Sequence, residues 1–162
     1  MIKKSLLFVV LLLVSTLSLM ALEVGVIYNG NLHGSNDSFL GLTARSRFGI
    51  AGLELSLLPK VSPDFDMTSY RIIVAPSIGW GTPELSIFGS VSPHLEINKG
   101  KLDFDVAKWN IGVGSTFMIA ENIISFFEFF AEFDLSGNTE LESITSATML
   151  SIGVTYKFDF GF

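Results

Sequence analysis

Cysteine is absent from the 162-residue chain, and charge is scarce. Without cysteine there are no disulfides, no thiolate metal sites, no cysteine nucleophiles and no lipid-modified N-terminal cysteine. Charged residues make up 16% of the chain, below the roughly 25% usual in soluble domains. The balance is acidic, with a formal net charge of −6. That argues against a nucleic-acid partner, which needs lysine and arginine to neutralise phosphates. Long apolar runs are missing beyond the N-terminus, so no segment there reads as a spanning helix. Yet 49% of the residues are hydrophobic. High hydrophobicity without long runs is what strands produce when every second residue is apolar.

The N-terminus reads as a Sec-type export signal rather than as fold. Lys3 and Lys4 form a positive start, Leu6 to Val14 an apolar stretch, and Ser15 to Ala21 a small-residue cleavage region. A cut after Ala21 leaves residues 22–162 as one domain and removes two lysines, taking the formal charge from −6 to −8.

The last thirteen residues alternate without a break. Leu150, Ile152, Val154, Tyr156, Phe158, Phe160 and Phe162 share one face; Ser151, Gly153, Thr155, Lys157, Asp159 and Gly161 share the other. An oily face ending in aromatics suits a strand whose outer wall meets lipid and whose aromatic girdle meets headgroups. In this segment the chain resembles the small outer-membrane β-barrel proteins of the OmpA or OmpX barrel type. The resemblance implies an all-β, antiparallel, up-and-down transmembrane barrel of eight strands. It also implies that the barrel-assembly machinery reads the last strand, with Tyr156, Phe158, Phe160 and Phe162 at the matching positions.

The remaining strands are read from alternation and turn residues. Leu22 to Asn31 is the first, followed by a Gly/Asn/Ser/Asp loop to Ser38. Thr43 to Leu57 reads as one strand whose phase slips at a bulge near Gly52. Met67 to Trp80 and Leu85 to Asn98 follow, with a hairpin at Asn98-Lys99-Gly100-Lys101. Between Leu102 and Ile119 the apolar parity reverses. One long bulged strand or two strands joined near Ala107-Lys108 both fit; the even strand number of such barrels favours two. Ile124 to Leu135 reads as the seventh strand, although Ile123, Phe126, Phe127 and Phe130 also fit a helical period. Ile144 to Phe162 is the last.

Eight strands enclose a bore that side chains fill. The inward parity supplies the candidate polar network: Arg45, Arg47, Arg71, His94, Glu96, Asp103, Glu128, Glu132, Asp134, Lys157 and Asp159. Charge-assisted hydrogen bonds among them would plug the bore and position the strands. If the first strand runs outward, Arg71, His94, Glu96, Asp103, Glu128, Lys157 and Asp159 fall in the periplasmic half, and Arg45, Arg47 and Asp134 in the outer half. Tyr28, Trp80, Trp109, Tyr156, Phe158 and Phe162 are candidates for the interfacial girdles.

Catalytic, metal and cofactor sites are not expected. Ser92, His94 and Glu96 hold the residue types of nucleophilic catalysis, but neighbours two apart on one strand are poorly placed for a relay. His33 near Asp37 offers too few ligands for a metal. The expectation is a monomeric outer-membrane barrel with lipid around it and a structural or interaction role. A narrow pore is the alternative. A soluble, secreted ligand-binding barrel is the third reading, and it requires the apolar face to turn inward.

Overall fold

The computed structural model describes residues 21–32, 36–82, 84–134 and 149–158. They form eight strands: β1 (Ala21–Asn31), β2 (Ser38–Phe48), β3 (Ala51–Ser62), β4 (Asp66–Gly81), β5 (Leu85–Asn98), β6 (Lys101–Ala120), β7 (Ile123–Asp134) and β8 (Met149–Phe158). Each pairs antiparallel with the next, and β8 pairs with β1, so the sheet closes without an edge. The segment that also fitted a helical period is strand β7. Residues 1–20, His33, Asp159, Phe160 and Phe162 lie outside the described residues.

Register sets the shape of the barrel. A walk from Ala21 across partners Arg47, Gly52, Ser77, Ser90, Gly112, Phe130 and Met149 returns to β1 at Asn31, ten residues along. With a rise of about 3.3 Å per residue and strands about 4.8 Å apart, that stagger tilts the strands by about 40°. A tilted strand of eleven residues such as β1 then rises about 28 Å, close to the thickness of a hydrocarbon core.

Two strand assignments differ from expectation. Residues 43–57 are not one bulged strand. Phe48 pairs with Ala51 around the two-residue turn Gly49-Ile50, which separates β2 from β3. Gly49 has φ +59°, the positive value that the first central residue of a tight II′-type hairpin turn takes. Across this hairpin an even residue faces an odd one, as in Leu42↔Leu57, so the outward set changes parity without a bulge. Conversely, residues 101–120 form a single strand. Pro93 pairs with Trp109 but His94 with Asp105, so one step on β5 matches four on β6. The odd excess reverses parity within one strand, beside a proline that has no ladder donor. The count of eight therefore stands, with one turn in a different place.

Moving that turn reverses the direction of β4 and β5. Arg71, His94 and Glu96 therefore lie at the end opposite the start of β1. Arg45 and Arg47 lie beside that start, paired in register with Glu23 and Ala21. Both placements are the opposite of the sequence expectation.

The barrel is inverted relative to a soluble one. In β8, Ile152, Val154, Tyr156 and Phe158 are exposed on the outer wall, while Ser151, Gly153 and Thr155 are buried. In β5, exposed Leu85, Ile87 and Val91 alternate with buried Ser86, Phe88, Ser90 and Ser92. Two inward rings lie across from glycine: Phe88 opposite Gly114 and Phe126 opposite Gly153. A Cβ at either glycine would enter the ring, so these glycines are seats for the aromatic fill.

Candidate functional site: the barrel interior

The interior divides by level along the axis. At the end opposite the start of β1, Arg71 is the hub. Its Nη2 and Nε lie 2.6 and 2.8 Å from Glu96 Oε1, and its Nη1 donates to Asn29 Oδ1. The guanidinium stacks 4.2 Å from the Phe39 ring centre. Asn29 in turn donates to Ser151 Oγ at 2.8 Å. His94 Nδ1 lies 2.9 Å from Glu132 Oε2. The void between these groups is only about 10 Å³, about the least space that admits one water.

Below this level Arg45 and Glu54 form a buried pair, Nε to Oε2 at 3.3 Å, with each side chain about 5% exposed. Ser56 Oγ lies 2.9 Å from Glu54 Oε1 and 2.8 Å from Thr43 Oγ1. The Arg45 guanidinium sits between two rings, 4.1 Å from Phe126 and 4.8 Å from Phe88. Glu128 is buried and accepts from Ser90 Oγ; both fit because Gly112 leaves the space free. A buried pair of this kind needs its hydrogen bonds and ring contacts to offset the cost of desolvation. The void here is again about 10 Å³.

At the end where β1 begins the bore opens into a cavity of about 480 Å³. Its lining includes Arg47, Glu23, Lys157, Ser86, Thr116 and Phe88. Arg47 Nη1 donates to Ser86 Oγ at 2.6 Å and Nη2 to Thr116 Oγ1 at 3.1 Å. Glu23 Oε2 accepts from Thr155 Oγ1 at 3.2 Å.

The expected network is thus split into separate groups. Arg71 joins Glu96, His94 joins Glu132, and Arg45 joins Glu54, which the sequence reading did not single out. Asp103 is a correction: it is exposed and outside the network. Among the described residues it stands on β6 where that strand pairs with β5 alone, since pairing with β7 begins at Lys108↔Asp134. Tyr156 and Phe158 are on the outer wall with ring centres 5.0 Å apart, edge to face. Ser92, His94 and Glu96 do not converge: Ser92 is buried, His94 turns to Glu132, and Glu96 is taken by Arg71. Inward Phe39, Phe88, Phe126 and Phe130 were not foreseen as lumen fill. The signal was present for β7, where Phe126 and Phe130 share the parity of Glu128.

No protein-family model matches the chain, and neither does any curated protein. Among solved structures it is similar to a barrel from the de novo design of transmembrane β-barrels, with a TM-score of 0.61 and 15% identity. The alignment covers 85% of this chain and 95% of that one. At this identity the likeness concerns the fold alone. The fold is that of a transmembrane β-barrel: all-β, closed, eight-stranded and antiparallel.

Proposed function

We propose that the protein is an integral barrel of the outer membrane, exported through a cleaved Sec-type signal, with a structural or interaction role. It acts as a monomer, surrounded by lipid, without enzymatic activity, cofactor or nucleic-acid partner, and the assembly machinery inserts it by reading its final strand. One observation carries this reading. The closed sheet exposes Leu42, Val113, Ile87 and Val154 on its outer wall and buries Glu23, Arg45, Glu54 and Glu128 inside. Water on the outer wall would leave this apolar band unburied, whereas hydrocarbon satisfies it and asks nothing of a backbone already paired around the ring.

The test is fractionation of cells making the full chain. The barrel stays in the membrane pellet after carbonate extraction, and its folded form shifts in gel mobility on boiling. Recovery in the aqueous fraction overturns the proposal. A narrow pore is the second reading, favoured by the open cavity at one end. The two voids of about 10 Å³ beyond it support a filled bore instead. Steady conductance of the purified barrel in a planar bilayer would decide for the pore.

A further inference from the structure

Three arginines enter the interior, and two of them have a carboxylate partner. Arg45 has Glu54 and two aromatic rings; Arg71 has Glu96, Asn29 and the Phe39 ring. Arg47 differs. Its guanidinium is held by two neutral hydroxyls, Ser86 and Thr116, and among the described residues no carboxylate comes within 4.0 Å of its nitrogens. Arg47 is also the only one of the three that lines the 480 Å³ cavity. Hydroxyls fix the orientation of a guanidinium without neutralising it. They take two of its five N–H donors and leave the planar fork able to meet an oxyanion.

The rest of the cavity is not a bare anion site. Phe88, Ile124, Met118, Ile50 and Trp80 form much of its wall. Among the described residues its ionisable lining is two cations, Arg47 and Lys157, against one carboxylate, Glu23, which already accepts from Thr155. The cavity lies within the roughly 300–1,000 Å³ usual for small-molecule sites, and it combines an apolar wall with a few fixed polar groups as such sites do.

We propose that this vestibule binds an anionic amphiphile, with a carboxylate or phosphate head on Arg47 and an apolar body against Phe88, Ile124 and Met118. The proposal rests on the membrane reading only for the compartment the mouth faces, which is the periplasm if both chain ends lie there.

The experiment uses the full mature chain folded into phosphatidylcholine nanodiscs, titrated calorimetrically with empty discs subtracted. Four probes are compared: octanoate, octyl phosphate, octanol and inorganic phosphate. Octanoate and octyl phosphate bind saturably, one per barrel, while octanol and inorganic phosphate bind at least tenfold more weakly. Their relative affinities distinguish a carboxylate from a phosphate head. Arg47→Gln weakens octanoate about tenfold or more, the scale of a lost charge-assisted contact. Met118→Trp, which fills the mouth and keeps the arginine, weakens it as well. Gel mobility checks that each variant is folded. If Arg47→Gln does not fold, Arg47→Lys and Met118→Trp carry the test.

The proposal is overturned by no saturable binding above empty discs, by octanol matching octanoate, or by inorganic phosphate matching octyl phosphate. Unchanged octanoate affinity in folded Arg47→Gln overturns it too. A chain that will not enter discs counts against the membrane reading instead, and the same titration then runs on the soluble barrel.

Discussion

The two ends of the barrel share one backbone plan and have opposite interiors. Near the start of β1 the inward strand positions include Gly52, Ser77, Gly79, Gly81 and Ser86, and the bore is open. At the far end they carry Phe39, Arg71, His94, Glu96, Glu132 and Met149, and the bore is shut to voids of about 10 Å³. The same eight strands enclose both levels, so strand number does not decide the difference. The volume of the inward side chains does. Charge follows the same division: the filled part pairs its cations with carboxylates, while the open part holds Arg47 with two hydroxyls and, 5.8 Å away, the Phe88 ring.

The sharpest way to break this comparison is to remove one arginine from each part. Arg45→Ala leaves Glu54 buried without its partner and destabilises the barrel by about 3–5 kcal/mol. Arg47→Ala loses two hydrogen bonds beside an open cavity and costs about 1–2 kcal/mol. Urea unfolding in phosphatidylcholine vesicles, followed by gel mobility, measures both. Equal losses would mean that the two levels are not energetically distinct.

The next test contrasts inside with outside. Val113 is 64% exposed in the middle of the outer wall, and Val113→Arg costs about 2–4 kcal/mol if that wall meets hydrocarbon. The same substitution in a soluble barrel would change stability by less than about 0.5 kcal/mol, so the vesicle and detergent-free unfolding curves discriminate directly.

A smaller effect tests how the filled part is packed. Gly153→Ala places a methyl group where the Phe126 ring lies and costs about 1–3 kcal/mol through overpacking. The paired variant Gly153→Ala with Phe126→Leu recovers part of that loss. Absence of recovery would show that the glycine serves the backbone rather than the ring.

The smallest effect concerns the far-end rim. Asp103→Ala, on the exposed part of β6, changes stability by less than about 0.5 kcal/mol, unlike Glu96→Ala, which strips Arg71 of its ion pair. A large loss at Asp103 would return it to the interior network.

Alternation was enough to read strands and which parity faces out; the count of eight rested on the even strand number of such barrels. In β8 and in β5 from Leu85 to Ser92 the environment alternates from residue to residue, and polarity largely alternates with it. Position along the chain was harder. A two-residue hairpin and an odd-numbered bulge both reverse the outward parity, so the slips near Gly52 and Ala107 looked alike. Only the partner strand distinguishes them: Phe48 meets Ala51, whereas Trp109 still meets Pro93. Gly49-Ile50 also lacks the Asn-Gly or Asp-Gly pair that marks the strongest hairpin signals. The Arg45–Glu54 pair was hidden for the same reason, because the two residues face each other only across that turn. Inward phenylalanines were obscured by residue type. A ring suits lipid and a packed bore equally, and only shared parity with Glu128 separates Phe126 and Phe130 from Phe127 and Phe129.

The ten-residue stagger has a consequence for redesign. It fixes the diameter of the tube independently of its contents, and neighbouring residues on each strand serve different surroundings. Half of the positions can therefore be rewritten, from stopper to conduit or from one guest to another, while the other half continues to specify the cylinder.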